Sequence, residues 1–379
     1  MKFIIAPDKF KGSMKATEAA LQIEKGLLQV IPRADIKKFP LSDGGEGLIE
    51  ALSSKTGSLI VTKTVTGPAG KPIKAAYGLI DQGKTGVVEM AAASGLALLE
   101  DDEKDPRLTT TRGTGELIKS ALDQGCQQLI IGIGGSATND GGSGMARALG
   151  VEFFDSAGNL LEEGGAALQG LERIDTSGLD PRLKKVKVLV ACDVDNPLTG
   201  PQGASYIYGP QKGATEKTAE ELDRALKNYA RVLEKDLAIK VENVPGAGAA
   251  GGLGAGLIAF LNGHLGSGIK MVLEALEIEK HLPGCNLLIT GEGKLDAQSA
   301  HGKAPIGIAR KAKEYGVPVI ALSGQLEGEL DLFHREGILA CFAIANGPLN
   351  LKESMEKGPH LLQTKTAELL RLWNAARPL

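Results

Sequence analysis

Five short segments of this chain combine residue types that can handle an anion. Asp8-Lys9-Phe10-Lys11-Gly12-Ser13 sets two lysines and a hydroxyl before an expected helix, which suits a phosphate or a carboxylate. Asp43-Gly44-Gly45-Glu46-Gly47 places two carboxylates on permissive backbone. The segment from Gly132 to Gly142 reads GIGGSATNDGG, with a strand expected before it and a helix after it. Its N–H groups, hydroxyls and helix N-terminus would make an anion cradle, with Gly134, Gly135, Ser136, Thr138 and Asn139 as the phosphate-binding residues. In Asp193-Val194-Asp195-Asn196-Pro197, Asp193 would orient a substrate hydroxyl, and it or Asp195 would bind Mg²⁺. The fifth segment runs from Thr290 to Asp296 and on to His301-Gly302-Lys303, where Glu292, Asp296 and Lys303 would do metal or phosphate work.

Each segment also has a structural reading: a solvated loop with a serine cap, a tight turn, an Asx turn, a salt-bridged cap. The glycine-rich loop fits such a reading least well. Taken together, backbone donors, cations, metal-binding carboxylates and a residue to orient the nucleophile are the requirements of phosphoryl transfer.

Two further motifs carry less. Gly78 to Thr85, GLIDQGKT, matches the phosphate-loop pattern, but that pattern needs a helix directly after it. Here Gly86-Val87-Val88 continues as a strand, so a hairpin turn is expected. Gly246, Gly248 and Gly251 satisfy GxGxxG, yet Val244-Pro245 is a poor end for the preceding strand of a dinucleotide fold. A phosphate role for Gly248 and Gly251 remains, with close helix packing through small residues as an equal alternative.

The elements that must position these segments follow from hydrophobic periodicity. Phe3 to Ala6 reads as a buried strand stopped at Pro7, and Ala16, Ala20, Ile23 and Leu27 mark one face of a helix. Ile36 to Leu41 is a second strand, followed by a helix to about Ser53, which opens a doubly wound sheet. Leu59–Thr66, Ile73–Ile80 and Thr85–Met90 read as adjacent strands, and Thr114–Asp123 as a helix closed by Gly125. Leu129–Ile133 and Val186–Ala191 are buried strands. Thr218 and Glu221 have capping-box spacing at the start of a long helix. From Leu287 the rhythm returns, with strands at Leu287–Thr290, Val319–Leu322 and Leu339–Ile344 and a last helix carrying Trp373.

The expected architecture is α/β with two α/β domains. A flavodoxin/Rossmann-like domain with a parallel sheet of five strands is built from both chain ends, residues 1–55 and 284–379. The second α/β domain, residues 56–283, is inserted in the middle, with the active site expected in the cleft between them.

Composition narrows the class. At 379 residues, two domains is the natural expectation. A net charge of −3 argues against a nucleic-acid binder. The 51 glycines are nearly twice ordinary usage of about 7% and cluster beside apolar runs, as where backbone approaches a ligand. Cys126, Cys192, Cys285 and Cys341 form no CxxC pair and read as free thiols in a reducing compartment. The four histidines outside the fifth segment are isolated. No signal peptide or membrane span is visible, so a cytoplasmic protein is expected.

With these residues in order, the chain resembles the type I glycerate kinase family over nearly its full length. The resemblance is carried by APDKFKGSM at 6–14, LSDGGEG at 41–47, TTRGTGELI at 110–118 and GIGGSATNDGGSGM at 132–145. It continues through CDVDNPLTGPQGA at 192–204, GPQKGAT at 209–215, PGAGAAGGLGAG at 245–256 and ITGEGKLDAQSAHGK at 289–303. It implies ATP as co-substrate, Mg²⁺ as cofactor, and D-glycerate phosphorylated at the 2-hydroxyl to 2-phosphoglycerate. On that reading Asp193, Lys9 and Lys303 are catalytic, with Asp193 as base. Asp8, Lys11, Ser13, Asp43 and Arg112 bind substrate, with Lys9, Lys11 and Arg112 toward the glycerate carboxylate, and Glu292 and Asp296 hold the metal. The phosphate and ATP set is Gly134, Gly135, Ser136, Thr138, Asn139, Gly248 and Gly251. Partners are small molecules, with no nucleic acid and no membrane, and a homodimer is one arrangement the sequence allows. Transfer to the 3-hydroxyl, another sugar acid as acceptor, and a non-catalytic metabolite-binding regulator are the alternative readings.

Overall fold

The computed structural model describes residues 1–53, 57–296, 299 and 303–376. His301, placed in a candidate loop above, lies outside them. In chain order the strands are β1 (Lys2–Pro7), β2 (Asp35–Lys38), β3 (Leu59–Thr66), β4 (Pro72–Ile80), β5 (Thr85–Glu89), β6 (Gln128–Gly132) and β7 (Glu152–Phe154). They continue with β8 (Arg173–Asp175), β9 (Lys187–Ala191), β10 (His264–Gly266), β11 (Leu287–Leu295), β12 (Val319–Leu326) and β13 (Ala340–Ala343). The helices are α1 (Ala16–Leu28), α2 (Leu48–Leu52), α3 (Ala91–Ser94), α4 (Arg112–Asp123), α5 (Ser143–Ala148) and α6 (Ala204–Tyr208). After them come α7 (Glu216–Leu237), α8 (Ala249–Leu261), α9 (Gly268–Ala275), α10 (Ala304–Glu314), α11 (Asp331–Arg335) and α12 (Leu351–Ala375). Among the described residues no helix is long and apolar enough to cross a membrane.

The chain divides into two compact units. The first comprises Met1–Asp43, Glu50–Ser54 and Ile269–Leu379, and the second Gly44–Ile49 and Lys55–Gly268.

The first unit is built on a five-stranded parallel sheet of order β13-β12-β11-β1-β2. Its central strands β1, β11 and β12 start as continuous apolar runs because both faces are covered, whereas the edge strand β2 is Asp-Ile-Lys-Lys and largely exposed. Phe3, Ile5, Ile289, Ile320 and Leu322 face α1 and α12, joining Ile23, Leu27, Leu362 and Leu370 in one core. Gly26 allows this packing, since a side chain there would strike the Gln363 carbonyl of α12. Trp373 closes the core edge-on against Phe3 at 5.5 Å between ring centroids. On the other face α10 buries Ile306, Ile308 and Ala309. The chain leaves β1 toward β2 on one side, and β11 then pairs with the other side of β1. The topological switch point therefore lies between β1 and β11, where open α/β sheets bind ligands.

The second unit carries a mixed six-stranded sheet, β10-β9-β6-β5-β4-β3, in which β5, β6, β9 and β10 are parallel and β3 and β4 antiparallel. GLIDQGKT is the β4–β5 hairpin, with Ile80 paired to Thr85. The long helix α7 starts one turn earlier than expected. Thr215 is its N-cap and its hydroxyl accepts from the Thr218 amide, so Thr218 lies inside the first turn. The antiparallel pair β7 and β8, and β10, are too short to show periodicity in the sequence.

Candidate functional site

In the first unit, β1 delivers Asp8 to the switch point. The Asp8 amide donates to the Gly291 carbonyl at 2.8 Å, which sets the loop after β1 against the end of β11. Asp8 is buried and its carboxylate accepts from the Lys9 amide at 2.6 Å. Burial, reinforced by the Asp43 charge, pushes its pKa up to about 7 against the pull of Lys9. Phe10 and Met14 exchange backbone hydrogen bonds, pinching Lys11, Gly12 and Ser13 into a tight turn. Gly12 takes the left-handed conformation this needs (φ +78°). The Ser13 hydroxyl donates to the Met355 carbonyl at 2.6 Å. It fastens the loop to α12, which is neither the helix cap nor the free anion donor the sequence suggested.

Glu292 stands near the end of β11. Ile289 faces the α1 and α12 core, so Glu292, three residues on, points to the opposite side. There α10 begins, and Lys303 Nζ lies 3.8 Å from Glu292 Oε2 and 4.0 Å from Asp296 Oδ1. Burial pushes the Glu292 carboxyl up to about 7, with Lys303 opposing. Its Oε1 is buried with no hydrogen-bond partner among the described residues. For Asp296 burial works the other way, yet the Ser299 amide, Lys294 and Lys303 hold its carboxyl below the usual range.

Asp8, Lys9, Lys11, Asp43, Glu292 and Lys303 line one cavity of about 790 Å³ in this unit. That is a ligand-sized volume. The orphaned Glu292 oxygen, in a cavity also lined by Asp8 and Asp43, fits Mg²⁺ as one of the one or two carboxylates that ion takes while completing its shell with water and phosphate oxygens. Among the described residues no group of three or more His, Cys, Asp or Glu is placed to hold a metal ion. Asp296, engaged by Lys294 at 3.3 Å, is less available than Glu292.

In the second unit the register puts Glu89, Gly132, Ala191 and Gly266 in one row at the ends of the parallel strands. The segment 44–49 crosses this row. Glu89 Oε1 accepts from the Gly47 amide at 3.2 Å and the Ile49 amide at 2.8 Å. A side chain at Gly132 would strike the Gly44 carbonyl, and one at Gly44 would strike Ala191. Three segments singled out in the sequence, 44–47, 132–136 and 192–193, thus meet at one sheet edge. Asp193 is exposed, and its two carboxylate oxygens lie 3.1 and 3.3 Å from the Gly268 amide.

The glycine-rich loop is only partly an anion cradle. Gly134 and Gly135 are exposed and Ser136 is 8% exposed, but the chain then turns inward and Thr138, Asn139 and Asp140 are fully buried. Asp140 supplies the protein's own anion to the helix start. Its carboxylate accepts from the amides of Thr111, Gly142 and Gly144 and from the Thr111 hydroxyl. Burial nevertheless raises its pKa against those hydrogen bonds. The Thr138 carbonyl holds Lys212 and the Asn139 amide donates to the Ser205 hydroxyl at 3.0 Å, while Thr138 Oγ1 and Asn139 Oδ1 are buried with no hydrogen-bond partner among the described residues.

Gly248 and Gly251 are also explained by packing. A side chain at Gly248 would meet the Pro197 carbonyl, and Gly251 (φ +68°) abuts the Thr138 carbonyl. Residues 250–252 are left-handed, so regular helix begins only after Gly252. Arg112 is engaged by Glu163 and lies 3.5 Å from Glu116, which occupies the cation reserved for a substrate carboxylate.

Sequence reasoning passed over Lys212, which is 1% exposed and donates to the Thr138 carbonyl at 2.7 Å. Burial pulls its pKa down to about 7, with Asp140 opposing. It also passed over the turn into α12, whose side chains complete the first unit's cavity.

Carboxylates and lysines gathered at the switch point of a parallel sheet, with a second set of strand-end loops offering backbone donors and an exposed aspartate, are the equipment of a phosphoryl-transfer enzyme. The comparisons with known proteins define the class further. A model of the glycerate kinase family matches residues 3–374. The chain is 49% identical to the glycerate kinase of Bacillus subtilis strain 168, over 97% of each chain. It is 51% identical to the glycerate 2-kinase of Escherichia coli K12, over 93% of each. A crystal structure of a putative glycerate kinase 2 from Salmonella typhimurium LT2 superposes with a TM-score of 0.92 at 45% identity, covering all of both chains. The chain belongs to the glycerate kinase family and is an enzyme of the kinase class.

Proposed function

We propose that the chain transfers the terminal phosphoryl group of ATP to the 2-hydroxyl of D-glycerate, giving 2-phosphoglycerate and ADP. The observation that carries the phosphoryl-transfer part is the first unit's cavity, where buried Asp8 and Glu292 face Lys9, Lys11 and Lys303 at the sheet's switch point. The acceptor comes from the relatives' names, and the 2-position from the Escherichia coli relative.

Within this reading Lys9 and Lys303 offset the charge of the donor phosphates and Lys11 that of a carboxylate. Glu292, with Asp8 or Asp43, would hold Mg²⁺, which neutralises charge on the transferring group. Asp193 is the base for the acceptor hydroxyl, kept in orientation by the Gly268 amide. Gly134, Gly135 and Ser136 are part of the glycine-rich loop that meets an anion. Arg112, Gly248 and Gly251 drop out of the binding set for the packing and pairing reasons given above, whereas Thr138 and Asn139, each with a buried oxygen lacking a partner among the described residues, stay in it.

ATP consumption by the purified protein with Mg²⁺ tests this against a panel of small hydroxy acids. Turnover with D-glycerate in clear preference is expected. ATP binding without turnover on any acceptor would instead identify a regulator.

A further inference from the structure

Only part of the first unit's cavity is explained by phosphate, metal and a small hydroxy acid. Its charged residues come from the loops after β1 and β2, from the end of β11 and from the start of α10. Much of the rest is apolar and belongs to the other side of the sheet. Phe10 and Ile344 are part of the α1 and α12 core, and Leu349 packs against it. Leu351 and Met355 sit in the first turns of α12, held over the cavity by the Ser13–Met355 hydrogen bond and by an Asn350–Glu353 capping box. Leu351 is 70% exposed, a large apolar side chain left in water at the mouth of a charged pocket.

We propose that this apolar side takes the nucleoside end of the phosphoryl donor, its base resting on Phe10, Ile344, Leu349, Leu351 and Met355. The assignment rests on the kinase reading and deepens it. Glycerate and phosphate carry no apolar surface and would leave these five side chains unused. A nucleoside triphosphate is the ligand in that chemistry with one flat apolar end and one highly charged end. The sheet gives the pocket a matching length. From β1 to β13 is three strand spacings, roughly 14 Å at about 4.8 Å each. Gln325, at the end of β12, lies between the two and supplies a donor and an acceptor for the polar edge of a base or ribose.

Two substitutions test the subsite without threatening the fold. Gly347 has open space where a side chain would start and lines the cavity, so Gly347→Trp grows into it. Leu351→Asp puts a charge on the exposed apolar lip, at a helix start that tolerates an acid. Binding is measured by calorimetry with Mg-ATP and with Mg-tripolyphosphate as a probe lacking the nucleoside, alongside thermal melting. The expected result is ATP affinity weakened roughly tenfold or more in both variants, with tripolyphosphate affinity within about twofold of the parent. Unchanged ATP affinity in folded variants, an equal loss for both ligands, or no ATP binding by the parent would each overturn the proposal. Because binding is read without turnover, a parent that binds ATP here yet phosphorylates nothing would contradict the kinase reading alone.

Discussion

The Lys212 ammonium donates to the Thr138 carbonyl at 2.7 Å, with both residues buried away from water. This contact fixes the inward half of the glycine-rich loop. It also gives the fold a group whose charge is disfavoured, because burial lowers the Lys212 pKa from 10.5 to about 7 while Asp140 opposes the shift. Between those values the unfolded chain binds more protons than the folded one, so stability should rise with pH there. Below about pH 7 both states carry the proton and the cost is fully present. Lys212→Met lacks this dependence. Urea unfolding should show wild type gaining on the variant by up to about 1.4 kcal/mol per pH unit across that window. Parallel pH profiles would mean that Lys212 titrates normally.

Gly251→Ala should act on stability. The glycine is left-handed, and a side chain there would collide with the Thr138 carbonyl. A loss of roughly 2–4 kcal/mol is expected in denaturant unfolding, with the KM for ATP of the remaining folded enzyme unchanged. A raised KM at full stability would restore a direct role in nucleotide binding.

Asp193→Asn removes the proposed base while retaining an acceptor for the Gly268 amide. We expect kcat to fall roughly 100- to 10,000-fold with little change in Tm. Near-full turnover would remove Asp193 from the chemistry.

Glu292→Gln weakens the proposed metal carboxylate at the position whose Oε1 lacks a hydrogen-bond partner. The Mg²⁺ concentration for half-maximal turnover should rise roughly tenfold or more. Asp296→Asn should move it less, since Lys294 and Ser299 already engage that carboxylate. The reverse order would return the metal to Asp296.

Much of the first unit was legible in the sequence because buried parallel strands announce themselves. Phe3 to Ala6 and Leu287 to Ile289 are unbroken apolar runs, and the charged loop after the first falls at a strand end, whereas Glu292 and Lys294, expected in a loop, lie within β11. The second unit was harder. Its hairpin at 81–83 was readable from the strand that follows it, but the capping role of Asp140 depends on Thr111, distant in sequence. Lys212 carries no periodic signal, and a lone lysine between Gln211 and Gly213 reads as surface until its burial is seen. Gly248 and Gly251 share composition with a phosphate cradle. Their role is decided by which backbone lies against them, and local pattern does not encode that.

The most direct test of the central claim is to identify the product. Purified protein with Mg²⁺, ATP and D-glycerate is coupled directly to enolase, which dehydrates 2-phosphoglycerate and needs a mutase before it can use the 3-isomer. Signal with enolase alone is the predicted result. Signal that waits for added mutase would contradict transfer to the 2-hydroxyl.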